Sequence, residues 1–385
     1  MGEQSQSTES APHTIQRMVQ LDGLRAVAIS TVLLTHFVPS DRLIQRPVVW
    51  GDLGVKMFFV LSGFLIGGIL VKTLETRPAN RKTLLNFWVR RWVRTLPTYD
   101  LVLVFLVLYH TAFNELELAD VGSYFLFVQN FAWPHPAFFP EAWTLAVEEW
   151  FYLLVPLVLF LAVACGAKPR TTILGVIIFV ILGSLTVRYG RYLGMESVNF
   201  FQWDLQFRKQ VITRLDSLIF GVLGAWLAYY HSSLWVRYRK YAFALGLVLL
   251  LIYKATFVLM IVNGWPMGLY YCVFSFTLVS CGIFLLLPLL SQLQDGSGRW
   301  YRAITVISLV SYSMYLIHFN VVQYIAVPHL LEILSPGIEG TALALLKFTL
   351  YWLLCVIGSI LLYKYFEVPT TALRNHFSIN RSPEQ

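Results

Sequence analysis

Charged residues are scarce in this sequence. Asp, Glu, Lys and Arg make up 13% of the 385 residues, about half of their share in an average soluble domain. Hydrophobic residues make up 57%, which is more apolar surface than a soluble core of this size can bury. This balance argues against a soluble domain and predicts an integral membrane protein.

Cysteine is rare as well and shows no CxxC spacing. The residues lie in or beside apolar runs, which predicts buried thiols acting as small hydrophobic side chains and not a disulfide or metal site. The net charge of +8 could suggest nucleic acid, but the distribution of basic residues fits membrane orientation instead. We therefore expect neither a metal nor a nucleic-acid partner. The cysteines are Cys165, Cys272, Cys281 and Cys355.

Long apolar runs recur along the chain with short polar breaks. Most approach the ~20 residues that a helix needs to cross a hydrocarbon layer. The alternating strands of ~10 residues that build a membrane barrel are missing. The sequence predicts an all-α polytopic transmembrane bundle of about ten spans. These lie near residues 27–40, 54–71, 99–110, 145–164, 172–187, 211–230, 241–262, 268–290, 304–327 and 341–363.

The segment 111–143 decides the predicted topology. Its apolar part, SYFLFVQNFAW at 123–133, is too short to span, so we expect an external loop that is re-entrant or interfacial. With the N-terminus inside, the cytoplasmic segments then hold 18 basic residues and the external ones five. A crossing at 123–133 would leave 11 inside and 12 outside. The positive-inside bias therefore predicts that both termini face the cytoplasm.

The ends of the sequence predict two short tails around one membrane domain. Residues 1–17 are polar and rich in Ser and Gln, and they lack the apolar core of a cleaved signal. We expect them to be a disordered cytoplasmic tail. Residues 18–375 form the predicted membrane domain, in which no internal repeat is visible, and residues 376–385 form a second cytoplasmic tail.

The first apolar run carries three ionisable residues, Asp22, Arg25 and His36. Ionisable groups inside a membrane are costly and usually mark a cavity or a pathway. Eleven residues of helix bring Arg25 and His36 to within about 20° of the same face, separated by a rise of ~16 Å. The alternative for His36 is a hydrogen bond between packed helices.

Polar groups in the second and third runs have two interpretations each. Ser62 and Gly63, with the following Gly67 and Gly68, suit either close helix packing or the wall of a narrow tunnel. Three arginines cluster at one end of a predicted helix, where they either orient it in the membrane or bind phosphates through their forked guanidinium groups. These arginines are Arg90, Arg91 and Arg94.

Later runs add further candidates. Glu148 and Glu149 precede an aromatic run near a predicted outer membrane face, which suggests that at least one faces a polar cavity. Arg214 and Asp216 lie at the outer end of another span, and a local salt bridge between them is expected. A polar stripe on an otherwise apolar helix is formed by Ser311, Tyr315 and His318.

Seven stretches, taken in order, resemble the membrane-bound acyltransferase-3 family, whose members O-acylate extracytoplasmic saccharides and some small molecules. They extend through nearly the whole predicted membrane domain. The stretches are LDGLRAVAISTVLLTH, FFVLSGFLI, FWVRRWVRTLP, AWTLAVEEWFYLLVP, RLDSLIFG, SYSMYLIH and YFEVP.

The resemblance implies roles for individual residues. Arg25 and His36 match the family's paired arginine and catalytic histidine, and the second-span signature brings in Phe59, Ser62 and Gly63. The remaining correspondences concern three later elements. Arg91 and Arg94 match the RxxR element near the acyl-donor entrance, Trp143, Glu148 and Tyr152 match the W-x-L-x-x-E-x-x-F-Y pattern, and Tyr315 and His318 match the late Y-L-x-H element.

Two points in the same stretches stay open. The pattern alone does not separate Glu148 from Glu149 in mechanism, and Trp150 stands where many members have glutamine. About 20 residues follow Phe366, where many relatives carry an additional hydrolase-like domain. We therefore expect that any second transfer step would need a separate extracytoplasmic transferase.

Together these implications describe a multi-pass acyltransferase of the bacterial cytoplasmic membrane that transfers groups other than aminoacyl groups. The expected donor is a cytoplasmic acyl-CoA, acetyl-CoA by family habit, used as a co-substrate without any bound cofactor. His36 acts as general base or acyl relay, and Glu148 orients the acceptor or the imidazole. The expected acceptor is an extracytoplasmic or lipid-linked saccharide, a glycoconjugate or a glycosylated small molecule.

Two other classes remain as alternatives. A proton-coupled secondary transporter would use intramembrane Arg, Glu and His, but such folds commonly show internal repeats. A non-catalytic membrane scaffold would not need this many buried ionisable groups.

Overall fold

The computed structural model describes residues 21–37, 48–113, 121–293 and 298–373. Within these ranges the chain is helical and contains no strand. The first half contains α1 (Asp22–Phe37), α2 (Val48–Thr76), α3 (Arg81–Ala112), α4 (Val121–Phe125), α5 (Ala142–Ala164), α6 (Pro169–Leu193) and α7 (Phe200–Trp203). The predicted tails, 1–17 and 376–385, lie outside the described residues.

The second half continues the bundle and contains several π-helical turns. Its α-helices are α8 (Leu215–Tyr230), α9 (Ser232–Arg237), α10 (Arg239–Asn263), α11 (Ser275–Leu290), α12 (Arg299–Ile317), α13 (Val327–Leu334), α14 (Gly340–Leu362) and α15 (Val368–Ala372). The π-helical turns are Asp204–Arg208, Tyr270–Phe274, His318–Ala326 and Tyr363–Glu367, and Val211–Thr213 is a short 3₁₀ helix.

Local chemistry explains where several helices begin and end. Asn80 precedes α3 in an extended conformation, and its Oδ1 accepts a hydrogen bond of 2.9 Å from Thr83 N. Pro169 occupies the first turn of α6, where a missing N–H costs nothing. Gly264 follows α10 with φ 63°, a left-handed conformation that terminates helices and favours glycine.

Eight helical segments in the described residues are long and apolar enough to cross a membrane. Helices α1 and α8, with 16 residues each, are shorter. These ten elements coincide with the ten predicted apolar runs, and the all-α polytopic bundle is confirmed. The number of true crossings and the side that each terminus faces stay predictions.

Helix directions follow from the contacts between pairs. Trp88 Nε1 donates to Tyr152 O over 3.0 Å, while Thr95 Oγ1 donates to Glu149 Oε1 over 3.0 Å. Later residues of α3 therefore meet earlier residues of α5, so the two helices are antiparallel. The segment between them thus returns the chain to the end of the bundle at which α3 finished.

That intervening segment contains no helix of membrane length in its described part, 121–141. Beyond α4 it runs irregularly and folds back onto the bundle. Asn130 is fully buried, and its carbonyl oxygen accepts from Val211 N over 3.0 Å. The chain at 121–141 therefore does not cross as a helix, as the sequence predicts.

Glycines allow α2 and α8 to pack with their backbones in close contact. A Cβ on Gly63 would come within 1.8 Å of Leu218 O, and one on Gly221 would come within 2.1 Å of Val60 O. A Cβ on Gly67 would likewise come within 2.8 Å of Val222 Cα. Gly63 and Gly67 therefore serve helix packing, whereas a Cβ on Gly68 would meet no atom within 4 Å.

The thiols differ from one another in exposure. Cys272 and Cys355 are buried, as expected, and Cys281 is partly buried. The expectation of burial is wrong for Cys165, which is exposed directly after α5, where the chain turns towards α6.

Candidate active site

A cavity of about 140 Å³ opens beside His36 at one end of the bundle. The His36 ring lies 5.0 Å from the ring of His318 and 4.6 Å from that of Phe319, measured between centroids. Gln323 Nε2 donates to the backbone oxygen of His36 over 2.9 Å, which fixes this end of α1 against the helix that contains His318. His36 therefore faces a protein cavity and not lipid.

The cavity wall comes from residues far apart in sequence. Helix α2 contributes Asp52, the residue before α5 is Glu141, and the segment before α8 contributes Arg208 and Lys209. None of these four residues stands out as a site residue in the sequence. Their signal was weak, because each one stands at a helix end or in a loop where a charged side chain is ordinary.

Two cations share one carboxylate at this wall. Asp204 pairs with Arg208 through Oδ1 and with Lys209 through Oδ2, the latter over 2.8 Å. Burial alone would raise the pKa of Asp204, but the two positive charges outweigh it and hold the pKa below its usual range. Burial lowers the pKa of Lys209 despite that partner. The charges of Arg208 and Lys209 both reach His36, while the carboxylate of Asp52 on the same wall pairs with Lys56.

Glu141 lines this cavity and forms no ion pair with any residue that the structure describes. Its Oε1 accepts from Asn320 N over 2.9 Å, whereas its Oε2 is buried and forms no hydrogen bond within the described residues. Burial raises the pKa of Glu141 to about 8, although the Asn320 N–H opposes the shift. Glu141 is therefore mainly protonated at neutral pH.

Tyr315 and His318 complete the cavity from α12 and the π-helical turn that follows it. The Tyr315 hydroxyl donates to Glu141 O over 3.1 Å and accepts from Thr144 Oγ1 over 2.9 Å. His318 is fully buried, and its Nδ1 lies 2.7 Å from Tyr315 O. The predicted polar stripe thus brings two of its members, Tyr315 and His318, to His36, while Ser311 donates to Ser308 O over 2.8 Å.

A second polar cluster lies between α3, α5 and α2. Arg91 Nη2 lies 3.4 Å from Glu148 Oε2, and the Tyr152 hydroxyl donates to the same oxygen over 3.0 Å. The Arg91 guanidinium also stacks 4.0 Å from the centre of the Tyr152 ring. The Ser62 and Tyr152 hydroxyls form a hydrogen bond. Four predicted site residues therefore meet here.

The two adjacent glutamates have different environments. Glu148 faces Arg91 and Tyr152, whereas Glu149 accepts from Thr95 Oγ1 over 3.0 Å and leaves Oε2 without a hydrogen bond in the described residues. Neither residue lines the cavity beside His36. The contacts give Glu148 the cationic partner, but its predicted catalytic role stays a prediction.

Three further predicted residues do not line this cavity: the candidate Asp22 and the predicted donor-side Arg25 near the start of α1, and the predicted donor-side Arg94 on α3. Asp22 Oδ1 accepts from Ser308 Oγ over 2.6 Å, which joins α1 to α12. The charge of Arg25 reaches Glu148, so the first-helix arginine belongs electrostatically to the second cluster. Arg94 is exposed on α3, and its charge reaches Glu367.

The expected local salt bridge between Arg214 and Asp216 is replaced by a longer-range one. Asp216 Oδ2 accepts from Arg188 Nη2 of α6 over 2.8 Å, with both side chains fully buried. Arg214 donates instead to Ser217 Oγ over 3.1 Å and to Arg208 O over 3.2 Å. Residues two apart project in different directions from a helix, which explains why the local pair does not form.

Comparisons with known proteins confirm the predicted family. A family model described as an acyltransferase domain, Acyl_transf_3, matches residues 18–364. The peptidoglycan O-acetyltransferase OatA of Listeria monocytogenes is 32% identical over 170 residues, which cover 39% of this chain and 25% of that protein. The O-acetyltransferase OatA of Staphylococcus aureus is 32% identical over 224 residues, which cover 54% of this chain and 34% of that protein.

The matched region therefore spans between a quarter and about a third of the length of these relatives. No solved structure matches the chain.

Proposed function

We propose, for a chain that belongs to the acyltransferase-3 family, that it transfers an acetyl group from acetyl-CoA to a saccharide hydroxyl across the membrane. In this proposal acetyl-CoA binds from the cytoplasm and the acceptor is extracytoplasmic or lipid-linked. The host membrane is the bacterial cytoplasmic membrane. The names of the two OatA relatives support acetyl as the acyl group, and one of them supports peptidoglycan as an acceptor.

The observation that carries the proposal is the position of His36. Its imidazole lines a polar cavity, and Arg25 precedes it by eleven residues on the same helix. That separation corresponds to a rise of ~16 Å, comparable to the reach of a pantetheine arm. A nucleotide head held near Arg25 would therefore let the thioester approach the imidazole.

The donor side uses guanidinium groups in this proposal. Exposed Arg94 and partly buried Arg91 lie one helical turn apart on α3, where forked donors suit phosphate oxygens. Arg25 contributes positive charge from α1. In this proposal the exposed Arg94 contacts a phosphate of the donor, while Arg91 pairs with Glu148.

The chemistry requires one proton acceptor and one leaving group. His36 removes the proton from the acceptor hydroxyl while its oxygen attacks the thioester carbonyl, and coenzyme A leaves as the thiol once it is protonated. In the relay form, His36 first takes the acetyl group and then passes it to the hydroxyl. The cationic wall formed by Arg208 and Lys209 would stabilise the negative charge that develops on the carbonyl oxygen.

The test is transfer by the purified protein in proteoliposomes. Acetyl-CoA labelled in the acetyl group is supplied on one side, and chitooligosaccharides or peptidoglycan fragments are supplied on the other. We expect label in an alkali-labile ester of the saccharide. Uptake of the label without ester formation would support the transporter alternative. The absence of both ester formation and uptake would contradict both hypotheses.

A further inference from the structure

Two polar atoms of residues that line the cavity beside His36 have no hydrogen-bond partner among the described residues. His318 Nε2 and Glu141 Oε2 are both buried and form no hydrogen bond within the described part of the chain. His318 is 0% exposed and Glu141 4% exposed, and both line the same cavity. Because buried polar groups are almost always hydrogen-bonded, the pair marks the place of a polar ligand.

The atom on His318 is a hydrogen-bond acceptor. Its Nδ1 lies 2.7 Å from the carbonyl oxygen of Tyr315. A carbonyl oxygen can only accept, so Nδ1 has to carry the proton of this bond. In the neutral imidazole the other nitrogen, Nε2, then presents a lone pair.

The atom on Glu141 is a hydrogen-bond donor at neutral pH. Its Oε1 accepts from Asn320 N, and burial raises the pKa of the carboxyl to about 8. A protonated carboxyl has one O–H group. Since Oε1 is occupied as an acceptor, the proton belongs on Oε2, the oxygen that has no partner.

We infer that this cavity binds a hydroxyl group of the acceptor saccharide, other than the one that His36 deprotonates, between Glu141 and His318. Glu141 Oε2 donates a hydrogen bond to the hydroxyl oxygen, and His318 Nε2 accepts a hydrogen bond from the hydroxyl. A hydroxyl satisfies both atoms because it donates one hydrogen bond and accepts others. A carboxylate has no proton to donate to His318 Nε2, and an ammonium group has no lone pair to accept a hydrogen bond from Glu141 Oε2. The identity of the ligand as an acceptor rests on the proposed function.

The size of the cavity agrees with a group larger than one water. Its volume of about 140 Å³ exceeds the ~30 Å³ share of a single water in the liquid several times. A hydroxyl on a short carbon arm therefore fits, and it would sit beside His36. This arrangement makes Glu141 and His318 positioning residues that select an uncharged hydroxyl.

The first test is the pH dependence of the acceptor KM, measured with N-acetylchitotetraose. In the wild type the protonated Glu141 donates its hydrogen bond below pH 8 and loses the proton as the pH rises through 8. The KM for the saccharide should therefore increase over this pH range. Glu141→Gln keeps an N–H donor at every pH. For this variant we expect the KM for the saccharide to be raised roughly threefold at pH 7 and to stay constant as the pH rises through 8. The KM for acetyl-CoA should be unchanged.

Comparison with two other variants isolates Glu141. Glu141→Leu removes the donor, and we expect an acceptor KM raised about tenfold, which corresponds to one neutral hydrogen bond. Glu196→Gln makes the same change at an exposed position and should keep the wild-type pH profile. The other titratable or charged groups at the cavity stay in every variant: His36, Asp52, Arg208, Lys209, Tyr315 and His318.

A second measurement does not depend on turnover. The infrared difference between wild type and Glu141→Gln at pH 7 should contain the carbonyl band of a protonated carboxylic acid, and N-acetylchitotetraose should shift that band. Three outcomes would each overturn the inference. The band is absent, or it shifts in deuterated water but not with the saccharide, or wild type and Glu141→Gln share the same pH profile of the acceptor KM. If the wild type forms no ester, the proposed function is contradicted. The infrared band still shows in that case whether Glu141 is protonated and donates a hydrogen bond to the saccharide.

Discussion

Arg91 and Glu148 form an ion pair between α3 and α5, with 3.4 Å between Nη2 and Oε2. The side chains are 12% and 16% exposed, and the Tyr152 hydroxyl shares the carboxylate oxygen. Two sequence elements that are separated by 57 residues thus form one polar unit inside the bundle. The pair gives this arginine a structural role in addition to any contact with a donor.

Replacing Arg91 should therefore reduce stability. Arg91→Ala leaves Glu148 without its cationic partner, and loss of one partner from a buried pair costs about 3 kcal/mol. Arg90→Ala, one residue earlier and exposed, is the matched control and should leave stability unchanged within about 0.5 kcal/mol. Thermal unfolding of the detergent-solubilised protein measures both. Equal unfolding temperatures would show that the pair contributes nothing.

The neighbouring Arg94 separates donor binding from stability. It is exposed on α3, so Arg94→Ala should unfold at the wild-type temperature. If Arg94 contacts a phosphate of the donor, its removal should raise the KM for acetyl-CoA about tenfold and leave the acceptor KM unchanged. Acetyl-dephospho-CoA tests the contact directly. A similar rise in KM for both donors would show that Arg94 does not contact the 3′-phosphate.

His36 should be indispensable to transfer. Loss of a general base lowers turnover by about 10² to 10⁴-fold, and loss of an acyl relay lowers it at least as much. We expect His36→Ala to abolish measurable ester formation while the protein remains folded in the membrane. His329→Ala, at an exposed histidine that accepts or donates one hydrogen bond of 2.9 Å with Tyr109, is the control. Wild-type ester formation by His36→Ala would refute the assignment.

The packing of α2 against α8 predicts an asymmetric effect of alanine. Gly63→Ala would force its Cβ to 1.8 Å from Leu218 O, so the helices must separate, at a cost of about 1 to 3 kcal/mol. Gly68→Ala on the same helix meets no atom within 4 Å and should be neutral or slightly stabilising. Detergent-solubilised samples heated in parallel give the comparison. Equal destabilisation would contradict the close approach at Gly63.

The sequence by itself determined the membrane class and the approximate helices. Apolar runs of the required length have few structures available in lipid, because every backbone group has to be hydrogen-bonded internally. For the same reason the short run at 123–133 could be recognised as a segment that does not cross as a helix. The polar residues on these helices, among them His36 and Glu148, could be recognised because such groups are expensive in a membrane.

Only the tertiary structure decided which of these residues meet. Spacing along a helix cannot tell which other helix faces it. The sequence favours Arg214 as the partner of Asp216, whereas the fold pairs Asp216 with Arg188. Glu141 could not be recognised, since a glutamate before a helix is ordinary until burial deprives it of water. The bundle places it beside His36, and no described residue forms a hydrogen bond with its Oε2. That environment, created by packing between distant segments, is what turns a common residue into a candidate for binding.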